Sequence, residues 1–344
     1  MKIDVLCNDG SPIGVTLKDL WGEGNRGIGI GGSEYAMLTM CEEWHKAGHE
    51  LVLYNNPMTL GGSPFEQRGI HTFDPNEDRD VLIIFRSPNS RSLAAKGLKV
   101  WFSCDQETVG DFAQFSKTVH KIVCISPRHA KYFAERYNIQ NAEVIDLPVR
   151  VDDLKVSGIE RVPYRMIFTS VPDRGLQYLY KYWNEIQLGC PEVSLVITSD
   201  YRLWGIDREG VEGHRSAWSH NSNVIYLGAV PRTRLIEEQL KAEILAYPNI
   251  YDELFCVSVA EAQCAGIYPI TSSVGALETT NMGTVVMGSP IDTVSYRELF
   301  INEVLQTLKN REGLPKLREE VQRKALDRFN PKVIMQQWED KVFK

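Results

Sequence analysis

The sequence predicts an α/β protein built of two doubly wound, Rossmann-like domains facing one another across a cleft. Two observations carry this. Short apolar runs alternate with helical or turn-rich stretches, which is the rhythm of a parallel sheet covered on both faces. That rhythm breaks once, at residues 148–163, and then starts again. A length of 344 residues also suits two domains of roughly 100–200 residues each.

In the first half, strands are expected at 3–7, 51–54, 81–85, 99–102, 122–125 and 143–147, with helices notably at 33–47 and 127–137. Within 33–47, Met37, Met40, Cys41 and Trp44 follow the spacing of one apolar helix face, and Gly48 suits the left-handed residue after a helix end. Residues 148–163 read as a linker. In the second half, strands at 165–169, 193–198, 223–227, 243–247 and 267–271 accompany helices at 175–187, 232–241 and 257–265. The expected N-terminal domain is 1–155 and the C-terminal domain 163–329. Segment 330–344 opens with a helix-entry proline and carries Val333, Ile334, Trp338 and Val342. It reads as a terminal helix that needs a partner surface. Ligands of such sheets bind outside the carboxyl ends of the strands.

Gly27, Gly29 and Gly32 fit G-x-G-x-x-G, the spacing of a dinucleotide-binding turn. The context is wrong for NAD. Strand 3–7 is separated from Gly27 by a polar stretch holding Gly10, Pro12, Gly22 and Gly24, and strand 51–54 ends in Asn55-Asn56 without a carboxylate for a ribose. What survives is a glycine loop at a helix N-terminus, suited to a phosphate-bearing ligand, or a plain loop with turn glycines.

Composition narrows the classes. Hydrophobic content of 43% and charged content of 24% are those of a globular protein. A net charge of −7 argues against broad nucleic-acid binding. The seven cysteines contain no C-x-x-C pair and several sit in apolar runs, so reduced thiols and a cytoplasmic setting are expected. The N-terminus enters a strand at once, without the look of a signal peptide, and no apolar run approaches the roughly 20 residues of a membrane span. Of the seven histidines only His45 and His49 have a ligand-like spacing, and that pair straddles the helix end at Gly48.

The most informative stretch is 251–266, YDELFCVSVAEAQCAG, in which Glu253 and Glu261 are separated by seven residues. Glu253 falls in the loop after strand 243–247, and Glu261 lies inside a helix poor in charge that ends at Gly266. A buried carboxylate must find donors or lose several kcal/mol; sugar hydroxyls would serve. The N–H groups around Phe255, Cys256, Val257 and Ser258 are first-turn donors poised for a diphosphate. A capping glutamate and a core glutamate bonded to backbone remain the other account of the pair.

With these residues on the page, the chain resembles the family-4 retaining glycosyltransferases of the GT-B fold over nearly its whole length. The E-x7-E motif with its intervening Phe matches at Glu253, Phe255 and Glu261. The amino-terminal Gly-Gly loop matches at Gly31-Gly32-Ser33-Glu34, and Lys46 to His49 match the turn after the following helix. Cys124 to Ser126 and Ile145 to Asp152 resemble the elements leading into the interdomain segment, the latter in degenerate form. Phe168 to Gly175 resembles the opening of the second domain, and Gly275 to Glu278 the G-x-x-E turn. Trp338 resembles part of the C-terminal crossover helix that packs back on the first domain.

The resemblance implies a nucleoside-diphosphate sugar donor held mainly by the second domain and an acceptor held mainly by the first. Carried over by residue, Glu253 touches the donor sugar and Glu261 the ribose. The N–H groups of Phe255, Cys256, Val257 and Gly32 hold the diphosphate and sugar, with Gly31 and Ser258 beside them. Arg174 neutralises the diphosphate. The commoner pattern has an Arg and a Lys in this segment; here Thr169 or Ser170 stands at the Arg position and Arg174 at the Lys position. An exposed ion pair of Arg174 with Asp173 or another acid is the competing account. Asp105, after strand 99–102, stands where an acceptor-lining His or Asp often occurs, or caps a turn. Arg86, after strand 81–85, meets the acceptor or a surface carboxylate.

The implied activity is transfer of a sugar to an acceptor hydroxyl with retention. The donor expected first is a UDP-sugar, and the acceptor a glycan, a glycolipid or a small hydroxyl compound ahead of a modified DNA base. Peripheral contact with a membrane fits such acceptors. No cofactor is expected beyond the co-substrate, and no metal, on the view that the chain lacks the Asp-x-Asp motif of metal-dependent single-domain glycosyltransferases. A sugar-nucleotide epimerase or hydrolase on the same scaffold is the alternative enzyme. A non-catalytic sugar-nucleotide-binding protein is the alternative of another class, and an NAD dehydrogenase stands behind both.

Overall fold

A computed structural model describes residues 1–7, 14–24, 27–206, 208–291 and 294–344. Gly10 and Pro12 lie outside the described residues. The chain divides into two compact units, one made of Met1–Arg26, Ile30–Pro148 and Pro331–Lys344, the other of Gly27–Gly29 and Val149–Asn330.

The first unit holds strands β1 (Lys2–Leu6), β2 (Glu50–Tyr54), β3 (Glu66–Arg68), β4 (Val81–Phe85), β5 (Leu98–Phe102), β6 (Lys121–Cys124) and β7 (Ala142–Val144). All are parallel, in the order β3-β2-β1-β4-β5-β6-β7. Helices α1 (Leu17–Trp21), α2 (Gly32–Lys46), α3 (Phe112–Phe115) and α4 (Pro127–Tyr137) connect them. All five residues of β4 are buried, as a central parallel strand covered on both faces requires. Helix α4 begins where Ser126 Oγ accepts the His129 N–H, with Pro127 at its first position.

The second unit holds β8 (Arg165–Phe168), β9 (Ser194–Ile197), β10 (Val224–Tyr226), β11 (Ile244–Tyr247), β12 (Tyr268–Ser272) and β13 (Thr284–Val286). They too are all parallel, in the order β10-β9-β8-β11-β12-β13. The helices are α5 (Leu176–Gly189), α6 (Arg208–Trp218), α7 (Arg232–Lys241), α8 (Val257–Cys264), α9 (Leu277–Thr280), α10 (Val294–Lys309) and α11 (Leu314–Phe329). Helix α8 is buried from Val259 to Cys264, the consequence of a run of small, uncharged side chains around one glutamate.

Two sequence expectations need correction, and a third, the terminal helix, holds. Residues 148–163 are not a free connector: Val151–Leu154 forms a 3-10 turn, and Val149 onward clusters with the second unit. Strands β3 and β13 and helices α1, α3, α6, α9, α10 and α11 escaped the reading. The terminal segment is helix α12 (Pro331–Trp338) followed by a π turn at Glu339–Phe343. It belongs to the first unit, where Trp338 meets Trp44 and Phe102 edge-on, each at 5.1 Å between ring centroids.

Candidate functional site

In the second sheet the chain leaves β8 toward β9 and leaves β11 toward β12, on opposite sides. The β8/β11 boundary is therefore a topological switch point, where the loops diverge and leave a crevice at the carboxyl ends of the strands. Two glycines bring the loops around it together. Gly175 closes the turn after β8 with φ +111°, and a Cβ there would lie 2.1 Å from the Pro248 carbonyl oxygen. Gly275 (φ +68°) lies against Glu253, where a Cβ would sit 2.3 Å from the Glu253 nitrogen. Only glycine fits either contact. The Ala276 N–H donates to the Glu253 carbonyl at 2.7 Å and holds that backbone in place.

The side chains converge on Glu253. Tyr247, the last residue of β11 and fully buried, donates its O–H to Glu253 Oε1 at 3.0 Å. Arg174 Nε lies 3.8 Å from the same oxygen. Burial pushes the Glu253 carboxyl above its ordinary range, and Arg174 and Tyr247 pull it part of the way back. The Arg174 guanidinium also lies over the ring of Tyr251, 3.2 Å from its centroid, and over Trp204 at 5.8 Å. The sequence left Arg174 a diphosphate or an ion pair with Asp173 or another acid; the structure places Glu253 3.8 Å from it, with Asp173 adding to the negative charge around it.

Helix α8 starts beside this cluster. Cys256 caps it at φ +76°, a left-handed conformation that a residue with a Cβ adopts at a cost. The N–H groups of Val257 and Ser258 are first-turn donors with no intrahelical acceptor. Ser258 Oγ accepts from Ser170 Oγ at 2.9 Å, tying the β8 loop to the helix start. Phe255 packs edge-on against Phe329, 5.5 Å between centroids.

Glu261 is buried in α8, with about 7% of its side chain exposed. Its Oε1 lies 2.9 Å from Arg232 Nη1, a charge contact whose alignment falls short of a hydrogen bond. Arg232 also donates through Nε to Asp153 Oδ2 at 2.8 Å, and Arg150 donates to the same oxygen at 2.8 Å. The cation beside Glu261 thus comes from the first turn of α7.

In the first unit, Gly31 caps α2 and Gly32 is its first residue. Arg86 and Asp105, expected separately, form an ion pair through Arg86 Nε. Arg86 sits at φ +67° in a three-residue turn closed by the Ser87 N–H to the Phe85 carbonyl, 3.0 Å. Such positive-φ residues are costly and cluster at functional sites. Elsewhere in the first unit, His129 is fully buried against Phe133, and burial lowers its pKa from 6.5 to about 3. Because the folded-state value lies below the unfolded one, the unfolded chain binds the proton first between pH 6.5 and 3, so this stabilisation is present above pH 6.5 and lost as pH falls. The urea midpoint should therefore fall more between pH 7 and pH 4 in the wild type than in His129→Leu. Equal slopes would assign the acid sensitivity to other groups.

The comparisons with known proteins bear on this site. Residues 172–326 match the family model for Glycosyl transferases group 1. No curated protein matches the chain. Among solved structures, sucrose-phosphate synthase from Thermosynechococcus elongatus is similar with a TM-score of 0.72 at 14% identity, covering 100% of this chain and 99% of that one. HepE of Anabaena, in complex with UDP, has a TM-score of 0.71 at 14% identity over 99% of each chain. A glycosyltransferase from Rickettsia africae has a TM-score of 0.72 at 12% identity, over 100% and 98%. The fold is GT-B.

Within that GT-B fold, the matched segment contains Arg174, Tyr247, Glu253, the start of α8 and Glu261. The sequence reading missed Tyr247, Arg232, Trp204 and Tyr251, since nothing in their spacing distinguishes them from core or turn residues. One statement about the sequence also needs correction: an Asp-x-Asp triplet does occur, Asp78-Arg79-Asp80. The structure separates its members, with Asp78 on exposed Lys96 at 2.8 Å and Asp80 accepting from the Lys2 N–H at 2.7 Å, while Arg79 turns inward. Among the described residues, no group of three His, Cys, Asp or Glu is placed to hold a metal ion. None of the described helices is long and apolar enough to cross a membrane.

Proposed function

We propose that the protein transfers a sugar from a nucleoside-diphosphate sugar, a UDP-sugar first, to an acceptor hydroxyl with retention and without a metal. The observation that carries this is the cluster of Arg174, Glu253 and Tyr247 beside the open first turn of α8, at the switch point of the second sheet and inside the matched segment. In this reading Arg174 and the N–H groups of Val257 and Ser258 hold the diphosphate, and Glu253 accepts from the sugar hydroxyls. Glu261, oriented by Arg232, accepts from the ribose. Ser170 fixes the loop that carries Arg174.

The reaction needs no carboxylate nucleophile. The bond from the anomeric carbon to the phosphate oxygen breaks, the acceptor oxygen bonds to that carbon on the same face, and the acceptor proton passes to the departing phosphate. The protein supplies orientation and electrostatic stabilisation of the leaving diphosphate. Arg86 and Asp105 are the groups proposed for the acceptor, a glycan, glycolipid or small hydroxyl compound.

Isothermal titration with UDP, GDP, ADP and TDP should show binding of at least one, and none of NAD(H), unchanged by EDTA. Binding of NAD(H) alone would refute the reading, and activity lost in EDTA and restored by Mg²⁺ or Mn²⁺ would refute its metal-free form. Donor turnover at full rate without any acceptor would instead mark a hydrolase or epimerase.

A further inference from the structure

Two large rings stand exposed at the carboxyl end of the second sheet, and the chain holds both in place with buried polar groups. Trp204 is 41% exposed and Tyr251 36% exposed. Trp204 ends the 3-10 turn Tyr201–Trp204 after β9. That turn is pinned by Asp200, which is fully buried and accepts from the Arg202 N–H at 2.9 Å, from the Arg202 guanidinium and from the Ala229 N–H at 2.9 Å. Gly228 leaves room for this carboxylate, since a Cβ there would lie 2.3 Å from Asp200 Oδ2. Tyr251 is held in the same manner. Buried Asn249 accepts its N–H at 3.1 Å and donates to its carbonyl at 2.6 Å, and Ser272 Oγ donates to the Asn249 carbonyl at 2.7 Å.

Both rings flank a charged centre. The Arg174 guanidinium lies over each of them, and Glu253 lies 3.8 Å from Arg174. Leaving such rings in water forgoes much of the favourable burial that aromatic side chains bring. Fixing them there is useful when a ligand covers them. A pyranose ring matches the chemistry: its C–H face is apolar and its rim carries hydroxyls that a carboxylate and a guanidinium can bind.

We infer that the exposed ring of Trp204 forms a stacking platform for a pyranose ring, with Glu253 and Arg174, the latter seated on the face of Tyr251, meeting its hydroxyl rim. The ring belongs to the donor or to the acceptor. The assignment of a donor ring rests on the nucleotide-sugar reading; the platform itself does not.

The test is calorimetric titration of the full chain with UDP, with UDP-glucose, and with maltose in the presence of UDP. Wild type is compared with Trp204→Leu and Trp204→Phe. If the ring is the donor's, Trp204→Leu weakens UDP-glucose about tenfold, roughly 1.4 kcal/mol, and UDP less than twofold. If it is the acceptor's, maltose shows the loss and UDP-glucose does not. In both cases Trp204→Phe, which keeps a ring, stays within about threefold of wild type. Equal losses for UDP and UDP-glucose would overturn the platform in favour of a base or phosphate contact. No loss for either sugar ligand would overturn it outright. Should Trp204→Leu melt early, Trp204→Gln, which suits a position 41% exposed, is read by the same criteria. If wild type binds neither UDP nor UDP-glucose, the UDP-sugar form of the reading falls, and maltose titrated alone decides the platform by its dependence on Trp204.

Discussion

Replacing Glu253 by Gln is expected to lower kcat by about 100-fold, roughly 2.7 kcal/mol of barrier, while donor affinity changes by less than about threefold. Gln keeps an oxygen that can accept from Tyr247, so the 3.0 Å contact survives. It removes the negative charge beside Arg174, which orients that cation and meets the positive charge that develops on the sugar as the diphosphate departs. An interaction made mainly in the transition state shows in kcat and not in binding. The pH profile supplies a second signature. Burial raises the Glu253 carboxyl, so the acid limb of the wild-type rate should lie above the ordinary carboxylate range. Glu253→Gln should lose that limb. Equal losses in affinity and kcat/KM, with kcat intact, would leave Glu253 a binding role only.

The largest stability effect is expected at Arg79. Its guanidinium meets Asp4 at 2.6 Å with both side chains essentially unexposed, and it donates to the Asp74 carbonyl at 2.7 Å. Removing one partner of such a buried pair costs about 3–5 kcal/mol, because the other charge stays buried and unpaired. Arg79→Met should lower stability in urea by that amount. Burial already raises the Asp4 carboxyl, and Arg79 pulls it down. Without Arg79 the folded-state value rises further above the unfolded one, so the deficit should shrink as pH falls and Asp4 takes up a proton. Asp4→Leu combined with Arg79→Met should recover part of the loss. A deficit below about 1 kcal/mol at neutral pH would place the pair among weak surface contacts, like Lys96 with Asp78.

The central strands were legible because parallel strands covered on both faces are short continuous apolar runs. Residues 81–85 are β4 to the residue, and 232–241 are α7 to the residue. Strand β3 was not legible. Its sequence is Glu-Gln-Arg, an edge strand held by backbone pairing to β2 and carrying no buried face. Helices α10 and α11 were passed over because the reading followed strand rhythm, which ends before them. In the site, Glu253 and Arg174 were visible through their motifs and are in fact neighbours. The Arg232–Glu261 contact was not visible. It joins side chains 29 positions apart through tertiary packing alone, and no local pattern encodes such a pair. Residues that orient others, such as Tyr247, are hidden for the same reason: a tyrosine closing an apolar strand looks like any core residue.

The terminal helix sets an order on biosynthesis. Unit one is assembled from segments that include Pro331–Lys344, whereas Val149–Asn330 of unit two is one uninterrupted stretch. Ile334, Trp338 and Val342 are all buried, so the face of α2 around Trp44 lacks its cover until they leave the ribosome. At roughly 5–20 residues per second, the wait between residue 148 and residue 331 is on the order of 10–40 s. During that interval the nascent chain exposes an aromatic face while the second sheet is being made, and that sheet has its last strand before Pro331 is reached. The half that is translated first is therefore the half that is completed last, and it is the natural point of engagement for a holdase on the emerging polypeptide.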